Sequence, residues 1–180
     1  LKSQKEMREF NFTYNKVASA LATNIDFLNE VASEKKPTFL STGMTDIDSI
    51  DKAVDIFKKF DCELMLFHTV STYPSEEKDL NLNCINTLKK RYDLPIGYSG
   101  HEVSVSPSLI AAALGASAIE RHITLDRAMY GSDQSASLEK RGLRELTTIL
   151  RKIPVLLGSG EKKVLSKEKE VARKLRYWVN

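Results

Sequence analysis

Pro37 to His68 reads PTFLSTGMTDIDSIDKAVDIFKKFDCELMLFH and holds one complete strand, helix and strand unit. Pro37 to Ser41 is short, apolar and rich in β-formers, and it runs into a small polar cluster, Ser41-Thr42-Gly43-Met44. Thr45-Asp46 then offers an N-cap. Ile47, Ile50, Val54 and Phe57 keep to one helical face, so the spacing predicts a helix over Ile47–Lys59. Leu64 to His68 is the next buried strand. The same alternation continues outward on both sides. Strands are expected at Phe12–Val17, Ile96–Ser99 and Ala118–Ile123. Helices are expected at Ile25–Ser33, Leu82–Tyr92, Pro107–Leu114, Leu143–Ile153 and Lys167–Arg176. Short buried strands alternating with helices imply a parallel sheet with right-handed crossovers, either doubly wound or closed into a barrel.

Polar residues gather at the C-terminal end of nearly every strand: Lys16 and Ser19, Ser41 and Thr42, His68 and Ser71, Ser99 and His101, Glu120 and His122. In a (β/α)8 barrel those ends converge on a single active-site rim, which favours the barrel. Such a barrel has eight strands and typically about 250 residues. The expected fold class is therefore α/β, a (β/α)8 TIM barrel of which this chain of 180 residues holds about the last five βα units. Gly158-Ser159-Gly160 marks a boundary, with residues 1–158 the partial barrel and 159–180 a C-terminal helix and the start of a linker.

Composition narrows the function. Twenty-seven Lys and Arg stand against 24 Asp and Glu, so the net charge of +3 comes from a mixed surface, and neither nucleic acid nor a membrane is expected as a partner. No apolar run approaches the roughly 20 residues of a membrane helix. Two cysteines, Cys62 and Cys84, without CxxC spacing fit a reducing, cytoplasmic setting and read as buried thiols. The chain begins Leu1-Lys2-Ser3 without an initiator Met or a secretory leader, which suggests the interior of a longer protein.

His68, His101 and His122 all fall at expected strand ends. One such His is more often a hydrogen-bonded structural residue than a ligand, but three on one rim favour chemistry. Imidazoles with carboxylates or water suit a borderline divalent metal, and a pair on neighbouring strands leaves positions open for substrate. Lys16 stands close to Ser19 and a small-residue turn, which suits a phosphate or carboxylate, although a solvated surface lysine explains it equally well. Gly43, after Ser41, lets backbone amides approach an anion. Ser99 and His101 lie two apart without a nucleophile elbow, which argues against a Ser-His-Asp mechanism. Asp126 and Asp133 flank a long polar loop of the kind that closes over a barrel mouth, and Asp126 equally suits a helix cap or a partner for Arg127. Tyr73-Pro74, after Ser71, could shape a sugar-sized pocket or merely turn the chain.

Five segments in register resemble the sialic acid synthase family: KVAS at 16–19, LSTGM at 40–44, FHTVSTYP at 67–74, GYSGH at 97–101, and ERHITLDR at 120–127 followed by GSD at 131–133. The match runs from about Asn11 to Glu168. The resemblance implies an enzyme that condenses phosphoenolpyruvate with an N-acylated mannosamine-type sugar. The product is a nine-carbon 2-keto acid, N-acetylneuraminate or legionaminate, and phosphate leaves by C–O cleavage. By the same resemblance His101 and His122 would hold a divalent metal, usually Mn2+ with Mg2+ or Co2+ as alternatives. Lys16, Ser19 and Ser99 would contact phosphoenolpyruvate, with Ser41, Ser71 and Tyr73 at the same mouth. Asp133 would meet the sugar or a metal-bound water, with Asp126 near it. Glu120 would orient a ligand or hold a positive partner, and His68 would line the pocket. Leu21 stands where some members carry an acidic residue that touches the acceptor, and Gly100 where some carry Asp. Leu21 points to a less polar acceptor pocket, of the legionaminate type. Family members also begin with three further βα units, and many end in a small antifreeze-like domain. The resemblance thus implies one part of a homodimeric enzyme. The alternatives are a related phosphoenolpyruvate-dependent keto-sugar acid synthase, which the ERHITLDR run disfavours, or a noncatalytic sugar-binding half-barrel.

Overall fold

Five parallel strands pair in the order in which they occur in the sequence: β1 (Asn15–Val17), β2 (Thr38–Ser41), β3 (Leu64–Thr69), β4 (Ile96–Gly100) and β5 (Ile119–Arg121). They are seen in a computed structural model of the protein, which describes residues 1–178. A doubly wound sheet reverses its strand order at a switch point. Here every step goes to the next neighbour, so the sheet is singly wound and forms a half-barrel.

Helices α1 (Lys2–Met7), α2 (Ile25–Ala32), α3 (Ile47–Lys59), α4 (Cys84–Tyr92), α5 (Ser106–Ala113), α6 (Lys140–Leu150), α7 (Ile153–Leu157) and α8 (Ser166–Leu175) complete the chain. As its sequence predicts, α3 is capped by Asp46, whose carboxylate accepts from the Ser49 amide at 2.8 Å. Strand register puts Val17, Leu40, Leu66 and Ile96 side by side, with Tyr98 on the same face. These residues form one core with Leu28 and Val31 of α2, Val54 and Phe57 of α3, Ile85 and Leu88 of α4, and Ala111 of α5. Helices therefore cover one face of the sheet. The other face carries Lys16, Phe39, Ser41, Phe67, Thr69, Ser99 and Glu120, which is the interior of a barrel.

Departures from the expected boundaries have local causes. Edge strands β1 and β5 are shorter than expected, because each has a ladder on one side only. Beyond β5, Ile123 forms a single parallel bridge with Leu138. The helix expected over Leu143–Ile153 starts earlier and divides into α6 and α7. Pro154 lacks an amide hydrogen and is accommodated in the first turn of α7. The unanticipated α1 buries nothing and is held by polar contacts: Gln4 donates to Asn15 at 3.2 Å and to Glu34 at 3.0 Å, and Arg8 just beyond the helix donates to Glu34 at 2.9 Å and also pairs with Glu30. Cys62 is buried, as expected, but Cys84 is only half-buried. No helix among the described residues is long and apolar enough to cross a membrane.

Candidate active site

At the C-terminal ends of the strands an open cavity of about 350 Å3 is lined by Lys16, Ser19, Ser41, Ser71, Tyr73, Ser99, His101, Glu120 and His122, together with Ala18, Ala20 and Met44. Inward-facing strand residues and the first residues of the following loops arrive there for one reason. Parallel strands of a barrel all end at the same rim.

One side of the cavity is a cation surrounded by hydroxyls. Lys16 Nζ donates to Ser41 Oγ at 2.6 Å, pairs with Glu120 Oε2 at 3.1 Å and lies 4.5 Å from the Phe67 ring centroid. Burial holds the Lys16 ammonium below the usual lysine range, and Glu120 offsets this in part. Glu120 Oε1 in turn accepts from Ser99 Oγ at 2.8 Å. Ser19 Oγ accepts from the Gly43 amide at 3.0 Å. Ser71 Oγ is buried yet has no hydrogen-bond partner, an orphan donor in a cavity that already holds a cation. Gly43 makes this convergence possible, since a Cβ there would overlap Ser71 Oγ and stand 2.9 Å from Ser19 Oγ.

The other side is a pair of imidazoles. The ring centroids of His101 and His122 are 5.2 Å apart, and Tyr73 packs on His101 at 4.2 Å between centroids. His101 Nδ1 is 2.7 Å from the Val70 carbonyl, which can only accept, so Nδ1 carries the proton and Nε2 keeps a free lone pair. Burial also pushes His101 down from the ordinary histidine range, favouring the neutral ring a metal requires. Asp133 Oδ2 lies 3.9 Å from His122 Nδ1. Burial pushes the Tyr73 phenol up, assisted by the Asp133 and Glu120 charges. No three His, Cys, Asp or Glu residues converge into a metal cage among the described residues. Two imidazoles, one with its tautomer fixed by a carbonyl, fit a borderline divalent ion that takes its other ligands from water and substrate.

Three expected site residues are outside the cavity lining: Asp133 stands beside His122, and two others stand elsewhere. His68 shares the helix-facing side of the sheet with Tyr98, and its Nε2 is 2.7 Å from the Leu80 carbonyl. It is a hydrogen-bonded structural residue, and burial lowers its pKa. Asp126 accepts from the Ala128 amide at 2.8 Å and holds its own turn rather than lining the cavity. Leu21 is likewise outside the cavity lining. Reasoning from sequence missed a buried cluster directly behind the histidines, Tyr98, Glu102, Ser108 and Arg121. Strand alternation was the available signal, for Glu120 and His122 facing the cavity force Arg121 to the other side, where a charge needs a partner.

A half-barrel of five parallel strands whose ends present an anion-suited cluster beside an imidazole pair is part of a (β/α)8 TIM barrel. The chain is a member of the NeuB family, whose family model matches residues 1–162. N-acetylneuraminate-9-phosphate synthase of Homo sapiens is 38% identical over 170 residues, covering 94% of this chain and 47% of that protein. N,N'-diacetyllegionaminic acid synthase of Legionella pneumophila is 36% identical over 153 residues, covering 82% of this chain and 43% of that protein. The crystal structure of N-acetylneuraminic acid synthetase from Leptospira borgpetersenii, in complex with citrate, superposes with a TM-score of 0.87 at 36% identity. That superposition covers 98% of this chain and 63% of that one. The chain spans about half the length of the curated relatives it matches.

Proposed function

We propose that the protein to which this chain belongs condenses phosphoenolpyruvate with an N-acylated mannosamine-type sugar, giving N-acetylneuraminate or legionaminate and phosphate. The reading is carried by one observation: Lys16, Ser41 and the unpartnered Ser71 hydroxyl share a cavity with the His101 and His122 pair. The names of the family relatives support it. A cytoplasmic homodimer is the form in which we place the enzyme.

Each group then has a task. Phosphoenolpyruvate brings phosphate and carboxylate groups that compete with Glu120 for the Lys16 ammonium, and Ser19 and Ser71 supply hydroxyl donors around it. Once displaced, the Glu120 carboxylate remains hydrogen-bonded to Ser99 and can orient a water or a sugar hydroxyl. Tyr73 covers the His101 ring and excludes water on that side. Asp133 stands where it can accept a proton from His122 or from the acceptor sugar. A divalent ion, Mn2+ in first place, held by His101 and His122 would supply Lewis acidity toward the sugar aldehyde. The new C–C bond leaves a cationic centre at the former enol carbon, to which water adds before phosphate departs, and the fixed charges of the cavity suit both stages.

Phosphate release from phosphoenolpyruvate tests the reading in the natural full-length protein, with Mn2+ and either N-acetylmannosamine or its 2,4-diacetamido-6-deoxy analogue. Release that depends on one of these sugars and is lost in His101→Ala is the expected result. Absence of release with both sugars would return the chain to the noncatalytic half-barrel reading.

A further inference from the structure

The ion pair behind the site links the two histidine-bearing segments. Arg121 and Glu102 have side chains only 2% and 1% exposed, and Arg121 Nη1 donates to Glu102 Oε1 at 2.9 Å. The same nitrogen donates to the Ser104 carbonyl at 2.9 Å and to Ser108 Oγ at 3.1 Å, while Nη2 donates to the Glu102 carbonyl. Glu102 Oε2 accepts from the Tyr98 hydroxyl at 2.8 Å. One carboxylate thus ties β4, the loop after it, the first turn of α5 and β5. Space is reserved for it, because a Cβ at Gly100 would stand 2.6 Å from Oε2 and 2.8 Å from Oε1.

Glu102 directly follows His101, and Arg121 directly precedes His122. His101 is further pinned through its carbonyl, which accepts from the Ser75 amide at 3.0 Å. His122 sits just past the end of the short edge strand β5, and its carbonyl accepts from the Leu138 amide at 2.8 Å. We infer that the buried Glu102–Arg121 pair is the positioning element that sets the separation of His101 and His122, and with it the affinity of the site for a divalent cation. This rests on the metal-site reading above. A buried charge pair is weak evidence for stability, and its best-attested use is to specify one arrangement among several.

Arg121→Lys keeps the charge but has a single nitrogen on a shorter reach, so it cannot supply the Nη1 contacts to Glu102, Ser104 and Ser108 and the Nη2 contact to the Glu102 carbonyl at once. Tyr98→Phe removes one hydroxyl from the cluster and leaves every charge in place, so it carries the test should the lysine variant fail to fold. In the natural full-length protein, Mn2+ affinity is read from the electron paramagnetic resonance of the free ion, and melting is followed without metal. Arg121→Lys is expected to weaken Mn2+ binding about 10- to 100-fold, the usual range for a group that orients a ligand. Tyr98→Phe is expected to weaken it by a smaller factor, and His101→Ala to abolish it. A merely structural role would lower metal-free melting and leave the Mn2+ affinity of the folded protein as in the wild type. That result overturns the inference while the metal site stands. A wild-type protein that binds no Mn2+, with His101→Ala indistinguishable from it, overturns the metal-site reading and this inference with it.

Discussion

Replacing Gly43 by Ala tests whether close approach of chain segments builds the anion-binding side of the cavity. The added Cβ would overlap Ser71 Oγ and stand 2.9 Å from Thr69 Cγ2. Thr69 cannot yield, because it is buried and its hydroxyl donates to the Ser99 carbonyl at 2.6 Å. Ser71 can, since its hydroxyl has no partner to lose. The expected response is rotation of Ser71 away from the cavity, costing the bound anion one charged hydrogen bond. Such a bond contributes about 1.5–3 kcal/mol, so KM for phosphoenolpyruvate should rise roughly 10- to 150-fold. Residual overpacking should lower folding stability by about 1–3 kcal/mol, read from denaturant unfolding. The kinetic assay is phosphate release at saturating sugar, run on Gly43→Ala, Ser71→Ala and the double variant. The two changes should combine less than additively, because the second removes the atom that the first displaces. A wild-type KM in Gly43→Ala, or full additivity in the double variant, would refute the reasoning.

Lys16 gives a pH prediction. Because its ammonium is held below the usual lysine range, it loses its proton as pH rises earlier than an ordinary lysine, and affinity for an anionic substrate falls with it. The alkaline limb of KM for phosphoenolpyruvate should move to still lower pH in Glu120→Gln, which removes the charge that offsets burial; a limb that stays in place counts against this pairing. In the core, Phe57→Ala opens a cavity beneath α3 and should cost about 3–5 kcal/mol in urea unfolding. Specific activity of the folded fraction should persist, since Phe57 lies on the helix side of the sheet, away from the site.

Much of the fold was legible because its signals are local. The N-cap Asp46 and the one-sided apolar face of α3 lie within a few turns of each other, so neighbouring residues suffice to specify the helix. Most of the cavity lining was legible for a similar reason. A barrel places its strand ends on one rim, so Lys16, Ser41, Ser99 and His122 could be grouped by position along their strands.

His68 shows where that reasoning stopped. Strand β3 reads Leu-Met-Leu-Phe-His-Thr, apolar on both faces because both are covered, and such a strand has no alternation to reveal which side a given residue takes. Its register against β4 put Phe67 and Thr69 inward and sent His68 to the helices. The sequence by itself determined the five strands, the helices that alternate with them and the polar rim, all products of short-range periodicity, but not α1 or the division between α6 and α7. Only the tertiary structure decided that His68 is structural, that Ser71 is left without a partner, and that Glu102 meets Arg121. Each of those outcomes depends on which distant segment fills the space beside a side chain, and parallel strands bring together residues about twenty or more positions apart that no local pattern connects.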